Sequence, residues 1–279
     1  MLPIGHGRDR PVPTYVLDRG ILDSGASGGE SWNPLRSGRT VLELEPFWRE
    51  QNFDADLGQD ELKTAGLRFT LRRENVDFLT NPSKGSVQRL TVSRDWGAQD
   101  DDSSFTVVEL ELAKFFSFGE SERFRQRVLA LDFWTADTPT WDVVRVGDRE
   151  VIQHRPPPYF GATLGGINRL RGYPSSRFND KAAIYYGAEL RLIPRWNPLA
   201  ESELLNRFVR VDWIQLVGFV EAGRVAEHWS LSELHTDMKW SAGLGLRAFA
   251  AGLVVRADVG FSQEGGEVQM MVSHPFPEL

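Results

Sequence analysis

An arginine in a glycine-rich segment is the first candidate for chemistry in this chain. Residues 164–173 read LGGINRLRGY. The adjacent Gly165 and Gly166 allow one backbone to approach another closely, and Gly172 after Arg171 lets the segment fold inward and deliver a guanidinium. A buried arginine needs an acidic partner, because an uncompensated charge is costly away from water. The predicted chemistry is therefore an internal ion pair.

Two glutamates further along the chain are the predicted partners of Arg171. Glu189 lies in the sequence YGAELR and Glu221 in FVEAG. Each falls on a predicted strand in which alternation places the glutamate among the polar residues, opposite the apolar ones. We predict that Arg171 pairs with Glu221, and with Glu189, and so latches its loop against a sheet. The alternative is a surface arginine, which the inward registers of both glutamates disfavour.

Short runs of alternating polar and apolar residues, separated by Gly, Pro, Asp and Asn, extend along the chain and are typical of β-strands. The longest uncharged apolar stretch, residues 248–255, is far below the roughly 20 residues that a membrane helix needs, so only a barrel could span a bilayer. The predicted fold is all-β and antiparallel, and period two alone does not separate a transmembrane β-barrel, the fold predicted with the evidence below, from a half-exposed soluble sheet. Its readable strands are Thr40–Trp48, Ala65–Arg73, Val87–Trp96, Phe105–Phe116, Gln126–Trp134, Ala182–Ile193, Val211–Gly223, Trp240–Ala248, Gly252–Phe261 and Glu267–Phe276.

Loop lengths predict the orientation of this sheet, because external loops of outer-membrane barrels are long and periplasmic turns are short. The segment 136–181 carries Arg171 and is predicted as an external lid loop. Within residues 194–210, a short amphipathic helix is predicted around Glu201–Phe208. The predicted long connections are Arg49–Thr64, Gly97–Ser104, Ala136–Lys181 and Arg224–Lys239, and the short ones are Leu79–Ser86 and Phe249–Ala251.

Tryptophans near strand ends favour a membrane sheet over a soluble one, because amphipathic rings are enriched in the headgroup zone. We therefore predict an aromatic girdle. The alternative is a soluble sandwich whose core is capped by the same rings. The tryptophans concerned are Trp48, Trp96, Trp134, Trp196, Trp213 and Trp240.

Composition argues against several other classes of protein. The net charge of −7 and the pI near 5.4 argue against a nucleic-acid partner, since no run rich in Lys and Arg could neutralise phosphates. The chain has no cysteine, and its five histidines include no pair with metalloprotease spacing, so neither a metal nor a cofactor is expected. Residues 25–29 match the GxSxG pattern of serine hydrolases but lack the flanking strand and helix, so they are interpreted as a loop. Enzymatic activity is not expected.

These ordered motifs resemble the bacterial surface antigen superfamily of outer-membrane barrels, the BamA/TamA-like proteins and their two-partner-secretion relatives. In that family a lid loop carries Gly-Gly followed by Val/Leu-Arg-Gly-Phe/Tyr, the next strand carries a Glu, and the strand after it reads Phe-x-Asp-x-Gly. The family Asp is Glu221 here, and the resemblance is strong from about Thr40 to Phe276. The matching residues are Gly165, Gly166, Leu170, Arg171, Gly172, Tyr173, Glu189, Phe219, Glu221 and Gly223.

The resemblance also sets the predicted domain limits. Residues 40–279 are assigned to the barrel region, with the lid loop at 136–181, and residues 1–39 to an N-terminal segment with one strand in Thr14–Leu22 and an external loop. Family barrels have about sixteen strands, so the readable strands are expected to be the C-terminal part of an N-terminally incomplete barrel. The last strand resembles the signal by which such barrels are handed to the assembly machinery. Its alternating residues are Val268, Met270, Val272, His274 and Phe276.

The function that the resemblance implies is insertion or translocation of polypeptides at the bacterial outer membrane, without covalent chemistry. The implied partners are outer-membrane lipid, client outer-membrane proteins and the barrel assembly machinery. A weakly paired seam between the first and last strands would offer an open edge to an incoming strand. Two alternatives stay open: a passive pore or export channel, and a membrane anchor for a further N-terminal domain.

Overall fold

The computed structural model describes residues 2–6, 14–31, 37–55, 58–97, 104–157, 159–201 and 211–272. In chain order the strands are β1 Leu2–His6, β2 Val16–Asp18, β3 Ile21–Ser24, β4 Arg39–Ala55, β5 Gly58–Val76, β6 Gly85–Asp95, β7 Phe105–Ser117, β8 Phe124–Asp137, β9 Asp142–Val146, β10 Arg149–Gln153, β11 Thr163–Leu164, β12 Phe178–Asn179, β13 Ala182–Pro194, β14 Val211–Ala226, β15 Lys239–Ala250, β16 Leu253–Ser262 and β17 Gly265–Val272. Two single-turn helices, α1 Pro198–Glu201 and α2 Leu231–Leu234, lie between strands. No helix among the described residues has the length and apolar character to cross a membrane.

Eleven strands form one antiparallel sheet in the order β1-β4-β5-β6-β7-β8-β13-β14-β15-β16-β17. The ten strands predicted from the sequence correspond to β4 to β8 and β13 to β17, so the all-β antiparallel fold is confirmed. β1 is an additional strand that pairs with β4. Within the described residues β1 and β17 are the two edges, no pairing joins them, and the sheet is open.

One predicted loop is wrong. The sequence pattern places a long connection at Arg49–Thr64, but β4 and β5 continue through these residues as one hairpin, paired as far as Ala55 and Gly58. The run of mostly polar residues after Trp48 interrupts the alternation of side chains. Backbone hydrogen bonds continue the ladder regardless, because they do not depend on side-chain polarity.

The two faces of the sheet differ in chemistry. On β16, Arg256 and Asp258 are buried on one face, whereas Leu253 and Phe261 on the other are each 58% exposed. We call the face with the buried polar residues the inner face and the opposite one the outer face. Apolar side chains exposed on the outer face include Leu44, Leu67, Phe69, Leu90, Leu112, Leu131, Leu190, Val220, Leu244 and Val268.

The tryptophans follow the predicted girdle only in part. Trp134 and Trp213 share the inward registers of Asp132 and Gln215, and both are buried on the inner face. The girdle prediction is therefore wrong for these two rings. The exposed tryptophans of the predicted set are Trp48, Trp96, Trp196 and Trp240.

The sheet curls around its inner face. Asn81, between β5 and β6, accepts a hydrogen bond from the amide of Gln215 on β14 at 3.3 Å. Three strands, β7, β8 and β13, separate β6 from β14 in the sheet. Because neighbouring strands lie about 4.8 Å apart, a flat sheet would hold these two side chains far from each other.

The lid loop enters at one end of the sheet, which we call the lid end. It connects β8 to β13 and contains two small two-stranded sheets, β9–β10 and β11–β12, that were not predicted from the sequence. The opposite end, the far end, carries the turns β5–β6, β7–β8 and β15–β16 and the connection between β13 and β14. In that connection α1 ends at Glu201, and the rest of the helix predicted around Glu201–Phe208 lies outside the described residues.

The described part of the N-terminal segment lies at the far end. β1 runs antiparallel to β4 with His6 opposite Arg39, so residues 7–38 connect the two strands at that end. The predicted strand Thr14–Leu22 is instead a hairpin of β2 and β3. Arg19 and Gly20 both have positive φ, +47° and +72°, which is the conformation of a tight two-residue hairpin turn.

Candidate functional site

Tight backbone turns bring the lid loop onto the inner face. Gly165 and Gly166 have φ of +108° and +102°, a region that residues with a side chain rarely adopt. The N–H of Gly165 donates to the carbonyl of Arg169 at 3.1 Å, and the N–H of Gly166 donates to the carbonyl of Tyr173 at 3.1 Å. The loop thus folds back on itself, and Arg171 points towards the sheet.

Arg171 contacts three carboxylates on three strands. Its Nε lies 2.7 Å from Oε1 of Glu221 on β14, and its Nη1 lies 2.8 Å from Oε1 of Glu189 on β13. Nη1 also lies 3.0 Å from Oδ2 of Asp258 on β16. A guanidinium suits this position because its planar N–H groups point in several fixed directions. Both predicted partners therefore contact Arg171, and Asp258 is a third that the sequence did not indicate.

The environment of Arg171 favours its charged form. The side chain is 2% exposed, and its Cζ lies 3.5 Å from the centroid of the Phe219 ring, within the range of a cation–π contact. Burial disfavours the charge, but Glu221 and Glu189 outweigh burial and raise the pKa of Arg171 above its ordinary value. The lid is therefore held by a permanent cation.

Glu221 accepts hydrogen bonds from four donors. Its Oε2 accepts from the backbone N–H of Arg171 at 2.7 Å and from the hydroxyl of Ser241 at 2.7 Å. Its Oε1 accepts from the hydroxyl of Tyr185 at 2.9 Å in addition to Arg171 Nε. The longer arm of Glu221, at the position where the motif of the resembled family has Asp, reaches all four donors from its place on β14.

Glu189 is shared by three arginines. Nη2 of Arg247 lies 2.9 Å from each of its oxygens, and Nε of Arg191 lies 2.8 Å from Oε2. Arg171 is the third. All four side chains are at most 2% exposed, so Glu189 offsets a concentration of positive charge that water does not reach.

A fourth arginine ties the lid backbone to β16. Nη2 of Arg256 lies 2.6 Å from Oδ2 of Asp258 and donates to the carbonyl of Ile167 in the lid loop at 2.8 Å. Asp258 thus accepts from both Arg171 and Arg256. The lid is held by its own arginine and also by an arginine of the sheet.

Apolar packing completes the latch. Leu170 and Tyr173 flank Arg171 and Gly172, and both are fully buried in a cluster with Leu164 on the inner face. Gly223 on β14 leaves the space that this cluster needs, since a Cβ there would lie 3.0 Å from Cδ1 of Leu164. Every residue of the predicted lid motif therefore contributes either backbone geometry, charge or packing.

Arg169 provides a second contact between the lid and the sheet. Its Cζ lies 4.0 Å from the centroid of the Trp134 ring, and its Nη2 lies 3.4 Å from Oε1 of Glu111 on β7. β7 is three strands away from β14 in the sheet. The lid therefore spans the inner face from β7 to β16.

Most of the supporting polar residues were not predicted from the sequence, because alternation within one strand does not reveal which residues of distant strands meet. The missed residues are Tyr185, Arg191, Ser241, Arg247, Arg256 and Asp258. Within the described part of the chain no group of His, Cys, Asp and Glu could hold a metal ion.

The predicted C-terminal strand corresponds to β17. Val268, Met270 and Val272 are 70%, 72% and 59% exposed and lie on the outer face. His274 and Phe276, the other residues of the predicted signal, lie outside the described residues. β17 thus presents an apolar face at an edge of the sheet.

The fold and the site define a class of protein: a curled antiparallel sheet with an apolar outer face and an arginine-latched lid on its inner face. A family model described as the Omp85 superfamily domain matches residues 33–270, and the chain belongs to this superfamily. The resemblance to the BamA/TamA-type surface antigen family is thereby confirmed. A search of curated proteins finds no match.

Proposed function

We propose that this protein is an outer-membrane β-barrel protein that inserts or translocates polypeptides, with its lid loop latched in the lumen. The observation that carries the proposal is the Arg171 network, a buried and ion-paired lid on the inner face of a sheet whose outer face is apolar. Membership of the Omp85 superfamily supports an outer-membrane location and this class of activity. No covalent chemistry, metal or cofactor enters the proposal.

The edges of the sheet supply a mechanism. In the described residues β17 pairs only with β16, and β1 pairs only with β4. An unpaired backbone N–H or C=O is costly in hydrocarbon, so an edge within a bilayer needs a partner strand. In the proposed mechanism the first and last strands of the barrel meet in a weak seam, an incoming client strand pairs with the open edge, and the backbone template gives affinity without sequence specificity.

We propose that the lid end faces the cell exterior and that the far end faces the periplasm. This orientation follows from the 44-residue connection between β8 and β13, set against two residues between β15 and β16. Clients delivered through the periplasm would then reach the sheet at the far end. The latched lid would stay bound to the inner face at the opposite end while they do so.

Reconstitution of the full-length protein tests the proposal. The protein is inserted into liposomes, an unfolded outer-membrane protein is added, and folding of that client is followed by heat-modifiable migration on gels. We expect faster client folding than in empty liposomes and slower folding with the Arg171→Ala variant. Ion conductance without any acceleration of client folding would favour a passive channel instead.

The membrane location is tested separately by fractionation. We expect the full-length protein in the outer-membrane fraction, itself with heat-modifiable migration. Recovery as a soluble monomer without detergent would contradict the membrane assignment.

A further inference from the structure

The β2–β3 hairpin docks on the inner face at the far end of the sheet. Its tip residue Gly20 lies under two aromatic rings: the indole N–H of Trp213 donates to the Gly20 carbonyl at 3.1 Å, and Phe249 stacks on Trp213 with ring centroids 5.5 Å apart. Ile21 packs against the apolar cluster to which both rings belong. Gly20 and Ile21 therefore pack against this cluster, and we call the contact surface the far-end pocket.

An ion pair adds a polar contact to this docking. Nη2 of Arg125, at the start of β8, lies 2.6 Å from Oδ2 of Asp18 and also donates to the Asp18 carbonyl at 3.1 Å. Asp18 is the last residue of β2, directly before the turn. The Arg125 side chain is 18% exposed and that of Asp18 is 71% exposed, so this ion pair lies on the solvent side of the far-end pocket, next to the turn residues Arg19 and Gly20.

The other end of the hairpin reaches the opposite side of the curled sheet. Tyr15 lies edge-on to Phe78, between β5 and β6, with ring centroids 4.9 Å apart. The hairpin consequently extends from the β5–β6 turn to the inner residues of β13 to β16, across the far-end opening of the curl.

We infer that this far-end pocket is a binding site for a polypeptide segment and that the β2–β3 hairpin occupies it as an intramolecular plug. The inference rests on the proposed function and names the substrate class at the entry to the lumen: an extended or hairpin segment with a small residue at its tip, an apolar residue beside it, and a carboxylate. The chain's own hairpin has these features, and Trp213, Phe249 and Arg125 recognise them. The hairpin must leave the pocket before a client segment enters.

A substitution at the tip tests the plug. A Cβ at Gly20 would lie 2.5 Å from Cδ1 of Phe249, so Gly20→Ala removes the fit between tip and pocket. Gly252, in the β15–β16 turn at the same end, is the matched control: its φ is +85° and a Cβ there meets nothing within 4 Å. Both substitutions place a side chain at a positive φ, which strains the backbone. Only Gly20→Ala also brings a Cβ into close contact with Phe249.

The measurement is ion conductance of the full-length protein in planar bilayers, with the synthetic peptide TYVLDRGILDSG, the sequence of residues 14–25, added on the far side. We expect Gly20→Ala to raise the open fraction by about tenfold, the change that follows from a modest loss of docking free energy, and Gly252→Ala to match the parent protein. The peptide should close the Gly20→Ala channel again. A peptide with Lys in place of Asp18 should close it at least several-fold less well.

A second pair of variants guards against misfolding of Gly20→Ala. Arg125→Glu removes the ion pair with Asp18 by a change in the sheet and should also raise the open fraction. Arg195→Glu, which reverses the charge in an exposed ion pair with Glu120 at the same end, should not. Equal open fractions in Gly20→Ala and Gly252→Ala, and in Arg125→Glu and Arg195→Glu, would overturn the plug.

The comparison of the two peptides tests whether the far-end pocket is a binding site. If the channel opens but both peptides close it equally, or neither does, the pocket does not recognise an acidic tip and the inferred site is wrong. Client folding is measured in parallel with the same variants. If no variant accelerates client folding while the peptide still closes the channel, the proposed function fails and the peptide site stands.

Discussion

Gly172 and Gly260 pack backbone against backbone where the lid loop meets β16. A Cβ at Gly172 would lie 2.7 Å from the carbonyl carbon of Phe261, and a Cβ at Gly260 would lie 2.7 Å from the carbonyl oxygen of Arg171. Both distances are shorter than the contacts that real Cβ atoms make. The atoms concerned belong to the backbone, which cannot move aside as a side chain can. The position of Arg171 among its carboxylates depends on this contact.

Gly260→Ala should therefore displace the lid. Forcing a methyl group into a close-packed contact typically costs about 1–3 kcal/mol, and here the displaced atoms carry Arg171 away from Asp258. We expect a lower unfolding temperature and faster proteolysis of the lid loop. Gly218→Ala on the outer face of β14 is the control, since its Cβ would meet only Leu244 at 4.0 Å. Equal behaviour of the two variants would contradict a tight contact between lid and sheet.

Arg171→Ala should release the lid more completely. The loss of one partner from a buried ion pair typically costs about 3–5 kcal/mol, and water entering the lumen would reduce that figure. Arg177→Ala is the control in the same loop, because Arg177 pairs with Glu264 at 2.8 Å but both side chains are substantially exposed. We expect protease sensitivity of the lid to rise with Arg171→Ala only. If the lid loop is equally protected from protease in the two variants, the latch does not exist.

Glu189→Gln should be at least as disruptive as Arg171→Ala. It leaves Arg171, Arg191 and Arg247 without the carboxylate that they share, and like charges then face each other in a buried site. The amide keeps the size of the side chain, so packing is preserved. Thermal unfolding of the full-length protein is the readout, with Glu264→Gln as the exposed control. A smaller loss of stability than for Arg171→Ala would show that the arginines find other partners.

A charge on the outer face should destabilise the protein only within a bilayer. Leu244 on β15 is 70% exposed on this face, and an arginine near the bilayer midplane of a barrel costs about 2–4 kcal/mol. Leu231 in α2, outside the strands, is 61% exposed and gives the matched control. Urea unfolding in liposomes should shift for Leu244→Arg and not for Leu231→Arg. Equal shifts would argue against contact of the outer face with lipid.

The alternation of polar and apolar residues was enough to predict the strands and their faces. Period-two patterning fixes which side of a strand a residue occupies, so the outward Val268 and Met270 and the inward Glu189 and Glu221 follow from the sequence alone. The girdle prediction failed at Trp134 and Trp213, because both rings lie in inward registers although they are near strand ends. The loop predicted after Trp48 was also wrong, because a ladder of backbone hydrogen bonds needs no alternation.

The order of motifs in the chain likewise determined the central ion pair. Arg171 lies in a glycine-rich segment and is followed by two glutamates in inward registers, and this order indicates a latch because a buried guanidinium must find a carboxylate. The sequence could not indicate Asp258 or Arg247, since Asp258 meets Arg171 of the lid loop and Arg247 meets Glu189 of β13, both far away along the chain. Such contacts depend on how far the sheet curls.

Only the tertiary structure decided what closes the far end of the sheet. Residues 14–22 read as a single strand, but Arg19 and Gly20 turn the chain into a hairpin whose tip contacts Phe249 and Trp213, the latter 193 residues away in the sequence. Local sequence sets strand and face because those depend on neighbouring residues. The pocket depends on side chains brought together from β8, β14 and β15, and their proximity is a property of the curled sheet.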